Sequence, residues 1–287
     1  MKVLLVGKSS FIARRVGAWF LQKPVPAEIE SISVRDDSWN QFDLSGFDAV
    51  IYTAAIVHRK DDVAEESYNA VNARLPFAFA QAAKAAGVKQ FVFLSTMGVY
   101  GQGKKLPAGN IVDEHTPLKP LPGYGSSKLK GERLIQSLAD EAFRVSIIRP
   151  ANVYGKDCKG GYISGFARVT SLLPVLPRAF ETSKQGMLFV DNLAELCWLT
   201  VHSDCSGVYP AQDRTPVSAY DVMRAIADCI CPKKKPLRAS AGLKLLQRNA
   251  MVIKLFGGVS YSEEYAKCPL GDYQLVEFRE AIKEWFE

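Results

Sequence analysis

Short apolar runs alternate with amphipathic stretches through the first half of the chain. The runs are rich in branched residues and predict buried strands at Lys2–Val6, Ile29–Val34, Ala49–Tyr52, Gln90–Ser95 and Val145–Ile148. Between them, apolar positions recur at helical spacing and predict helices at Ala13–Leu21, Glu65–Ala86 and Ser126–Phe143. Strands separated by helices predict an α/β fold with a doubly wound parallel sheet that is covered on both faces.

The pattern changes after Pro150. It is irregular around Gly160-Gly161, and a helical pattern resumes at Phe189–Glu195. Residues 211–287 are predicted to be mainly helical. We therefore expect a sheet domain of residues 1–150 with a return segment at about 186–210, and a small C-terminal substrate lobe of residues 151–185 and 211–287.

Composition narrows the class of protein. Of the 287 residues 48% are apolar, as in soluble globular proteins. No apolar run approaches the ~18–20 residues of a membrane span, and the apolar start is too short for a signal peptide. We therefore expect a cytoplasmic protein without stable membrane insertion. Six cysteines in a chain of this length are expected to be reduced. Cys229-Ile-Cys231 has no second cluster to complete a metal site, so no metal is expected.

The net charge is +6, and much of the excess lies late, as at Lys233-Lys-Lys235. We interpret these residues as a solvated basic face and expect no nucleic-acid partner. Contact with an anionic membrane or nucleic acid is the alternative, as is attraction of a phosphate-bearing substrate.

Tyr124 and Lys128 carry the most information about chemistry. They stand four residues apart at the head of a helical pattern, so their side chains share one face, one turn apart. A free tyrosine has a pKa of about 10 and is a poor base at neutral pH. A fixed cation nearby stabilises the phenolate and lowers that pKa, which makes tyrosine a usable proton acceptor or donor. The alternative is an ordinary surface helix.

Other candidate residues follow the ends of predicted strands, where parallel sheets bind ligands. Gly7-Lys-Ser-Ser-Phe-Ile-Ala13 has small residues that allow a backbone to approach a pyrophosphate at a helix N-terminus, although such residues also serve helix packing. Ser95 and Thr96 place two hydroxyls in a cleft beside Tyr124, or cap the strand. Asn152 offers a fixed amide after the next strand.

Five ordered elements resemble the extended short-chain dehydrogenase/reductase family, of the NAD-dependent epimerase/dehydratase type. They are Gly7–Ala13, Thr53-Ala-Ala55, Leu94-Ser-Thr-Met-Gly-Val-Tyr-Gly101, Tyr124-Gly-Ser-Ser-Lys128 and Arg149-Pro-Ala-Asn-Val-Tyr-Gly155, with Val71-Asn72 and Val190–Leu193 fitting as well. Together they cover about residues 1–200. The nearest likeness is to capsule and O-antigen sugar enzymes that resemble UDP-glucose 4-epimerase. The family implies a Rossmann-type NAD(P)-binding domain.

The resemblance also implies residue roles. Tyr124 is the expected acid/base, Lys128 is expected to bind the nicotinamide ribose and lower the Tyr124 pKa, and Thr96 is the expected catalytic hydroxyl. The implied cofactor-binding residues are Gly7, Ser9, Ser10, Phe11, Ile12, Arg35, Thr53, Ala54, Ala55, Leu94, Ser95, Tyr124, Lys128, Pro150 and Val153. The implied substrate-binding residues are Thr96, Met97, Asn152, Arg178 and Gln185.

Several positions depart from the family pattern. Only Gly7 is glycine in the dinucleotide turn. Arg35 follows the second strand where relatives often carry an acid; an arginine suits a 2′-phosphate and favours NADP, while Asp36 on the ribose would favour NAD. Gln185 stands where many relatives place a diphosphate-binding arginine, for which Lys184 or Arg178 would have to compensate.

Two further residues leave alternatives open. Between Asp37 and Asp48 the chain is too short for the usual helix and strand, and Trp39 either closes over adenine or packs in the core. His58 either reaches the cleft or faces solvent.

The expected function is NAD(P)-dependent 4-epimerisation or 4-keto reduction of a UDP- or dTDP-sugar. Dehydratases of the family usually carry an acidic pair after the catalytic threonine, where this chain has Met97 and Gly98. The alternatives are an NADP-dependent reductase of a small non-nucleotide ketone or aldehyde, and a non-catalytic dinucleotide-sensing protein. Relatives are commonly dimers through two long helices, so a homodimer through Glu65–Ala86 and Ser126–Phe143 is expected.

Overall fold

The computed structural model describes residues 1–25, 27–57, 64–101, 103, 105–106, 109–158, 161–237 and 247–287. The strands in these ranges are β1 (Lys2–Val6), β2 (Glu28–Ile32), β3 (Ala49–Tyr52), β4 (Gln90–Leu94), β5 (Asn110–Val112), β6 (Arg144–Pro150), β7 (Asn152–Tyr154), β8 (Leu176–Pro177), β9 (Met187–Phe189), β10 (Gly207–Ala211), β11 (Pro236–Leu237) and β12 (Val259–Tyr261). Six of them form one parallel sheet in the order β10-β6-β4-β3-β1-β2, which confirms the predicted fold class.

Helices cover both faces of this sheet, and three two-stranded sheets lie outside it in the described ranges. The helices are α1 (Phe11–Phe20), α2 (Glu65–Asn69), α3 (Leu75–Ala85), α4 (Tyr124–Gln136), α5 (Tyr162–Leu172), α6 (Val190–Val201), α7 (Ala219–Ile230), and the helices Ala250–Phe256, Glu263–Ala266 and Phe278–Phe286. A π-helical turn, Ala70–Arg74, joins α2 to α3, so the predicted helix from Glu65 is continuous, and Gly87 follows it at φ +84°.

Alternate side chains of each central strand enter two different cores. Val3 and Leu5 of β1 pack on the side of α1 and α6, whereas Leu4 and Val6 pack on the side of α3 and α4. All four are buried. A third core joins α5, α7 and the helices Ala250–Phe256 and Phe278–Phe286 in the C-terminal part.

Two predicted elements differ from the structure. The helix at Tyr124 ends at Gln136 rather than Phe143. Asp140 turns the chain by accepting hydrogen bonds from the backbone N–H groups of Ala142 and Phe143, and the Phe143 ring then packs against Phe91 at 6.0 Å. The apolar positions past Gln136 therefore fill the core without being helical. The segment after Pro150, predicted to be irregular, contains α5.

The short link between Asp37 and Asp48 leaves β2 at one edge of the sheet. Glu28 and Glu30 are exposed on β2, and each lies 3.6 Å from the ammonium of Lys2. Trp39 is only 6% exposed and packs against Phe79 at 5.1 Å, so it is a core residue.

Several expectations concern features outside the sheet. All six cysteines are free. None of the helices in the described ranges combines the length and apolar character needed to cross a bilayer. His58 lies outside the described residues.

Candidate active site

A cleft of about 1020 Å³ opens where the parallel strands end. Its walls come from the segments that follow β1, β2, β3, β4 and β6, together with the start of α4. The crevice lies at β1, which pairs with β2 on one side and with β3 on the other. Doubly wound sheets bind ligands at such a point. Fourteen predicted cofactor residues line it: Gly7, Ser9, Ser10, Ile12, Arg35, Thr53, Ala54, Ala55, Leu94, Ser95, Tyr124, Lys128, Pro150 and Val153.

The turn after β1 depends on one glycine. Gly7 has φ +114°, and a Cβ there would lie 2.6 Å from the Thr53 hydroxyl and 3.1 Å from the Ala54 nitrogen. The Thr53 hydroxyl is itself fixed, since it donates to the Val6 carbonyl at 2.9 Å. Ser10 then caps α1, so the helix N-terminus faces the cleft. The degenerate turn thus keeps the one glycine that its geometry requires.

Two cations line the end of the cleft near β2. Lys8 and Arg35 contribute to its wall together with Ser33 and Val34. Asp36 is not among the lining residues, because its carboxylate caps the 3-10 turn Asp37–Gln41 by accepting from the Ser38 N–H at 3.1 Å.

The π-helical turn fixes the loop after β3. It places Asn72, which is fully buried, against Ile56. The Asn72 amide accepts from the Ile56 N–H and donates to the Ile56 carbonyl, both at 2.9 Å, and it also donates to the Ser127 hydroxyl at 3.1 Å. One side chain therefore ties the cleft wall to the helix that carries Tyr124. Sequence reasoning matched Asn72 to the family without assigning it this role.

Lys128 is completely enclosed in the cleft floor. Its ammonium donates to the Leu94 carbonyl at 2.5 Å and lies 4.2 Å from the centroid of the Phe93 ring. Burial lowers the pKa of Lys128 from 10.5 to about 7, against the opposing charge of Glu132. The site therefore holds this group near the boundary between its two protonation states at neutral pH.

Tyr124 differs from the expectation. Burial raises its pKa from 10.0 to about 12, and a hydrogen bond with the Thr96 hydroxyl opposes that rise. The predicted lowering by Lys128 is therefore wrong, because desolvation of the phenolate outweighs the stabilising interactions. At neutral pH Tyr124 is a phenol, ready to donate a proton.

The two hydroxyls at the end of β4 point to different places. Thr96 accepts from the Gly98 N–H at 3.0 Å and lies beside Tyr124, as predicted. The Ser95 hydroxyl instead donates to the buried carboxylate of Glu132, so Ser95 borders the cleft while its hydroxyl is bonded behind the cleft wall. Alternation along the strand explains this, since neighbouring residues project to opposite sides.

A second cavity of about 260 Å³ adjoins the first. Thr96, Tyr124, Pro150, Ala151 and Asn152 line both cavities. The predicted substrate residues Met97 and Gln185 line the second cavity alone, with further walls that sequence reasoning missed: Gly98, Gly101, Leu121, Pro122, Gly125 and Val259. Val259, from the C-terminal part, belongs to no motif that would have identified it.

Two predicted residues lie away from both cavities. Phe11 packs into the C-terminal core. Arg178 pairs with Glu181 at 2.8 Å and lies over the Tyr220 ring. Lys184, the other cation considered for a diphosphate, pairs with Asp221 at 2.6 Å. Each of these two cations therefore forms an ion pair with a carboxylate. In the described ranges no group of three or more potential metal ligands is present.

Comparison with known families gives one broad match. Residues 10–210 match the model of the NAD dependent epimerase/dehydratase family. A UDP-glucose 4-epimerase of Vibrio cholerae is 30% identical over 185 residues, 62% of this chain and 56% of the relative. The N-acetyl-alpha-D-glucosaminyl-diphospho-ditrans,octacis-undecaprenol 4-epimerase of Escherichia coli O157:H7 is 29% identical over 209 residues, 67% of this chain and 61% of the relative. The chain therefore spans less than two thirds of the length of either protein.

Solved structures agree on the fold. The UDP-glucuronic acid 4-epimerase of Bacillus cereus in complex with NAD superposes with a TM-score of 0.75 at 18% identity, covering 100% of this chain and 95% of that one. The Bordetella bronchiseptica enzyme WbmG in complex with NAD and UDP gives a TM-score of 0.72 at 18% identity, covering 99% and 92%.

The buried lysine predicts a pH-dependent stability. Between pH 7 and 10.5 the unfolded chain binds a proton at Lys128 that the folded chain releases, so the free energy of unfolding rises with pH there by up to about 1.4 kcal/mol per unit. Lys128→Met removes this linkage. The variant is expected to gain melting temperature relative to wild type most strongly at pH 7 and below, and the gain should shrink towards pH 10. Thermal unfolding across this range measures it.

Lys130→Met is the matched control, because Lys130 is exposed on the same helix. Its melting-temperature difference from wild type should stay constant with pH. A constant difference for Lys128→Met as well would contradict the assignment of a displaced lysine pKa.

Proposed function

The chain belongs to the NAD dependent epimerase/dehydratase family, as its sequence motifs indicated, and on this premise we propose that it modifies a nucleotide-linked sugar by 4-epimerisation or 4-keto reduction. The observation that supports this most directly is the junction of the two cavities. Thr96 and Tyr124 line both, so a substrate in the smaller one lies against a dinucleotide in the larger one. Close placement of this kind makes the transfer between them effectively intramolecular.

The proton steps fall to Tyr124. A bound nicotinamide supplies hydride chemistry at the sugar carbon. In reduction, the Tyr124 phenol donates its proton to the ketone oxygen as that oxygen gains charge, and Thr96 holds the same oxygen by a hydrogen bond. In oxidation of the alcohol, Tyr124 must first lose its proton, and a positive charge bound beside the ring would lower its pKa. An epimerase needs both directions, whereas a reductase needs only the first.

Other residues would bind the cofactor and substrate. The turn at Gly7, which packs closely against Thr53, would place a pyrophosphate at the N-terminus of α1. Lys128 would meet the nicotinamide ribose from the cleft floor, and Pro150 to Val153 would border the ring. We further propose that residues 1–150 with about 186–210 form the cofactor domain and 151–185 with 211–287 the substrate lobe, which the separate apolar cores support.

The cations considered for the nucleotide end of the substrate have partners within the fold. Arg178 and Lys184 are paired with acids, and Gln185 replaces the arginine of many relatives. These contacts favour the second candidate, reduction of a small non-nucleotide ketone or aldehyde. Screening UDP- and dTDP-sugars, their 4-keto forms and small ketones for turnover separates the two. Absence of turnover on all of them, with dinucleotide binding intact, would favour a sensing protein instead.

Tyr124→Phe tests the acid/base assignment. Loss of the transferable proton is expected to reduce turnover by ~10²–10⁴-fold, the usual contribution of general acid–base catalysis. Dinucleotide affinity should change little, because the ring remains in the cleft wall. Steady-state kinetics and equilibrium binding measure the two quantities.

Tyr162→Phe provides the control, since that hydroxyl lies on α5 and donates to the Leu255 carbonyl at 3.4 Å, outside both cavities. It should retain wild-type turnover. Full turnover in Tyr124→Phe would remove the proposed mechanism.

We propose a preference for NADP over NAD, which the pair Lys8 and Arg35 supports and the NAD of the similar solved complexes opposes. A guanidinium at this position suits a 2′-phosphate. Arg35→Ala is expected to weaken NADP binding by ~10–100-fold, the value of a charge-assisted hydrogen bond, and to leave NAD binding nearly unchanged. Arg14→Ala, exposed on α1 and away from the cleft, is the control. Equal losses for both cofactors, or tighter NAD binding by wild type, would contradict the preference while leaving the reaction untouched.

We also propose a homodimer through the outer faces of α3 and α4. These helices lie against each other on one side of the sheet and expose Ala78, Gln81, Lys130 and Arg133. Sedimentation velocity is expected to give a species of twice the chain mass of 31.6 kDa, and a monomer at micromolar concentration would refute the assembly.

A further inference from the structure

A buried ion pair lies one helical turn beyond Lys128. Glu132 is fully buried, and its carboxylate accepts from Arg149 Nη2 at 2.6 Å and from Arg149 Nε at 3.1 Å. The same carboxylate accepts the Ser95 hydroxyl. Three charge-assisted hydrogen bonds therefore converge on one side chain in a region that excludes water.

The pair is connected to the C-terminal part by tyrosines. Arg149 Nη1 donates to the Tyr100 hydroxyl at 2.8 Å, and that hydroxyl shares a hydrogen bond of 2.8 Å with Tyr265. The Tyr261 hydroxyl donates to the Arg149 carbonyl at 2.9 Å. The backbone and the guanidinium of Arg149 are thus both held, and a network satisfied in this way resists rearrangement.

Each residue that bonds to the Glu132 side chain stands, in the sequence, directly before a residue that lines both cavities. Ser95 precedes Thr96, and Arg149 precedes Pro150. Glu132 itself follows Lys128 by one turn of α4. The ends of β4 and β6 and the helix α4 are therefore joined at a single carboxylate.

The same carboxylate is the anion that acts on Lys128. Burial favours the neutral amine, and the charge of Glu132 opposes it. The other groups that approach the lysine are the Leu94 carbonyl and the Phe93 ring from β4, and Tyr124 from its own helix. Across the carboxylate stands Arg149 of β6, whose guanidinium contacts both Glu132 and the Tyr100 hydroxyl.

We propose that Glu132 is a positioning residue that holds Thr96 and Lys128 in register through Ser95 and Arg149 and, one helical turn from Lys128, favours the charged form of that lysine. This inference rests on the proposed roles of Tyr124 and Lys128. A protonated lysine is the form that can bind ribose hydroxyls and stabilise a phenolate, so both steps fail above the pH at which it deprotonates.

Glu132→Gln tests the charge with little change of shape. Removing the anion disfavours the ammonium, so the alkaline limb of the pH–turnover profile is expected to move to lower pH by ~1–3 units. The pH dependence of NADH and NADPH binding, followed by their fluorescence, should show the same displacement without any reaction. Glu132→Asp keeps the charge and is expected to leave the alkaline limb within ~0.5 unit of its wild-type position, although turnover should be slower. A shift of a whole pKa unit would mean that most of the interaction between the carboxylate and Lys128 had been lost.

The variant Glu132→Gln leaves a buried guanidinium without its partner and risks misfolding. Glu132→Gln with Arg149→Met removes both charges, and circular dichroism confirms the fold. If the Glu132–Arg149 pair only supports the structure, this double variant returns the alkaline limb of the pH–turnover profile to its wild-type position. If Glu132 favours the charged form of Lys128, the alkaline limb stays displaced, by less than in Glu132→Gln alone because the cation of Arg149 is removed with the anion.

The outcomes separate this inference from the proposed function. An unmoved limb in the folded neutral variants, or an equal shift in Glu132→Asp, would overturn the role of Glu132. If Tyr124→Phe abolishes turnover at the same time, the proposed reaction still stands. Full turnover in Tyr124→Phe would remove the reaction whatever the Glu132 variants show.

Discussion

The cost of burying an ammonium group governs the arrangement of this site. Lys128 gives up water for one carbonyl, one aromatic face and the field of a carboxylate one turn away. A charge taken out of water is stable only where opposite charge and hydrogen bonds replace the solvent. The segments that carry Thr96, Tyr124 and Pro150 pack around these replacements, so the electrostatic requirement of one side chain shapes the whole floor of the cleft.

The same requirement explains the protonation of the two central groups. Desolvation acts on both in the direction of the neutral form, which raises the pKa of Tyr124 and lowers that of Lys128. A helical spacing of four residues reveals that the side chains are neighbours, but it carries no information about burial. For that reason the sequence motif placed both side chains on one helix face but gave the wrong direction for the shift of the tyrosine pKa. Ligands that bring their own charge would alter the balance again.

Much of the fold was predictable because its signals are local. The apolar runs of β1, β3 and β4 and the spacing of α1 identify themselves in a few residues each. The end of α4 was not predictable in this way, because Phe143 continues the apolar pattern while Asp140 turns the backbone. Contacts between segments that are far apart in the sequence were not predicted either, because local patterns carry no information about them. The sequence next to Glu132 does not indicate that its side chain bonds to Ser95 and Arg149. The sequence next to Val259 does not indicate that this residue lines a cavity.

The short link after β2 has a consequence for the behaviour of the molecule in concentrated solution. Since β2 borders the sheet, its outer row of backbone N–H and C=O groups offers a template on which an extended segment of another molecule can add. Glu28 and Glu30, balanced by Lys2 within the fold, place charge along that margin. A hydrophobic strand approaching it would have to strip water from these carboxylates, and the shortened sheet is thereby guarded against intermolecular β-aggregation.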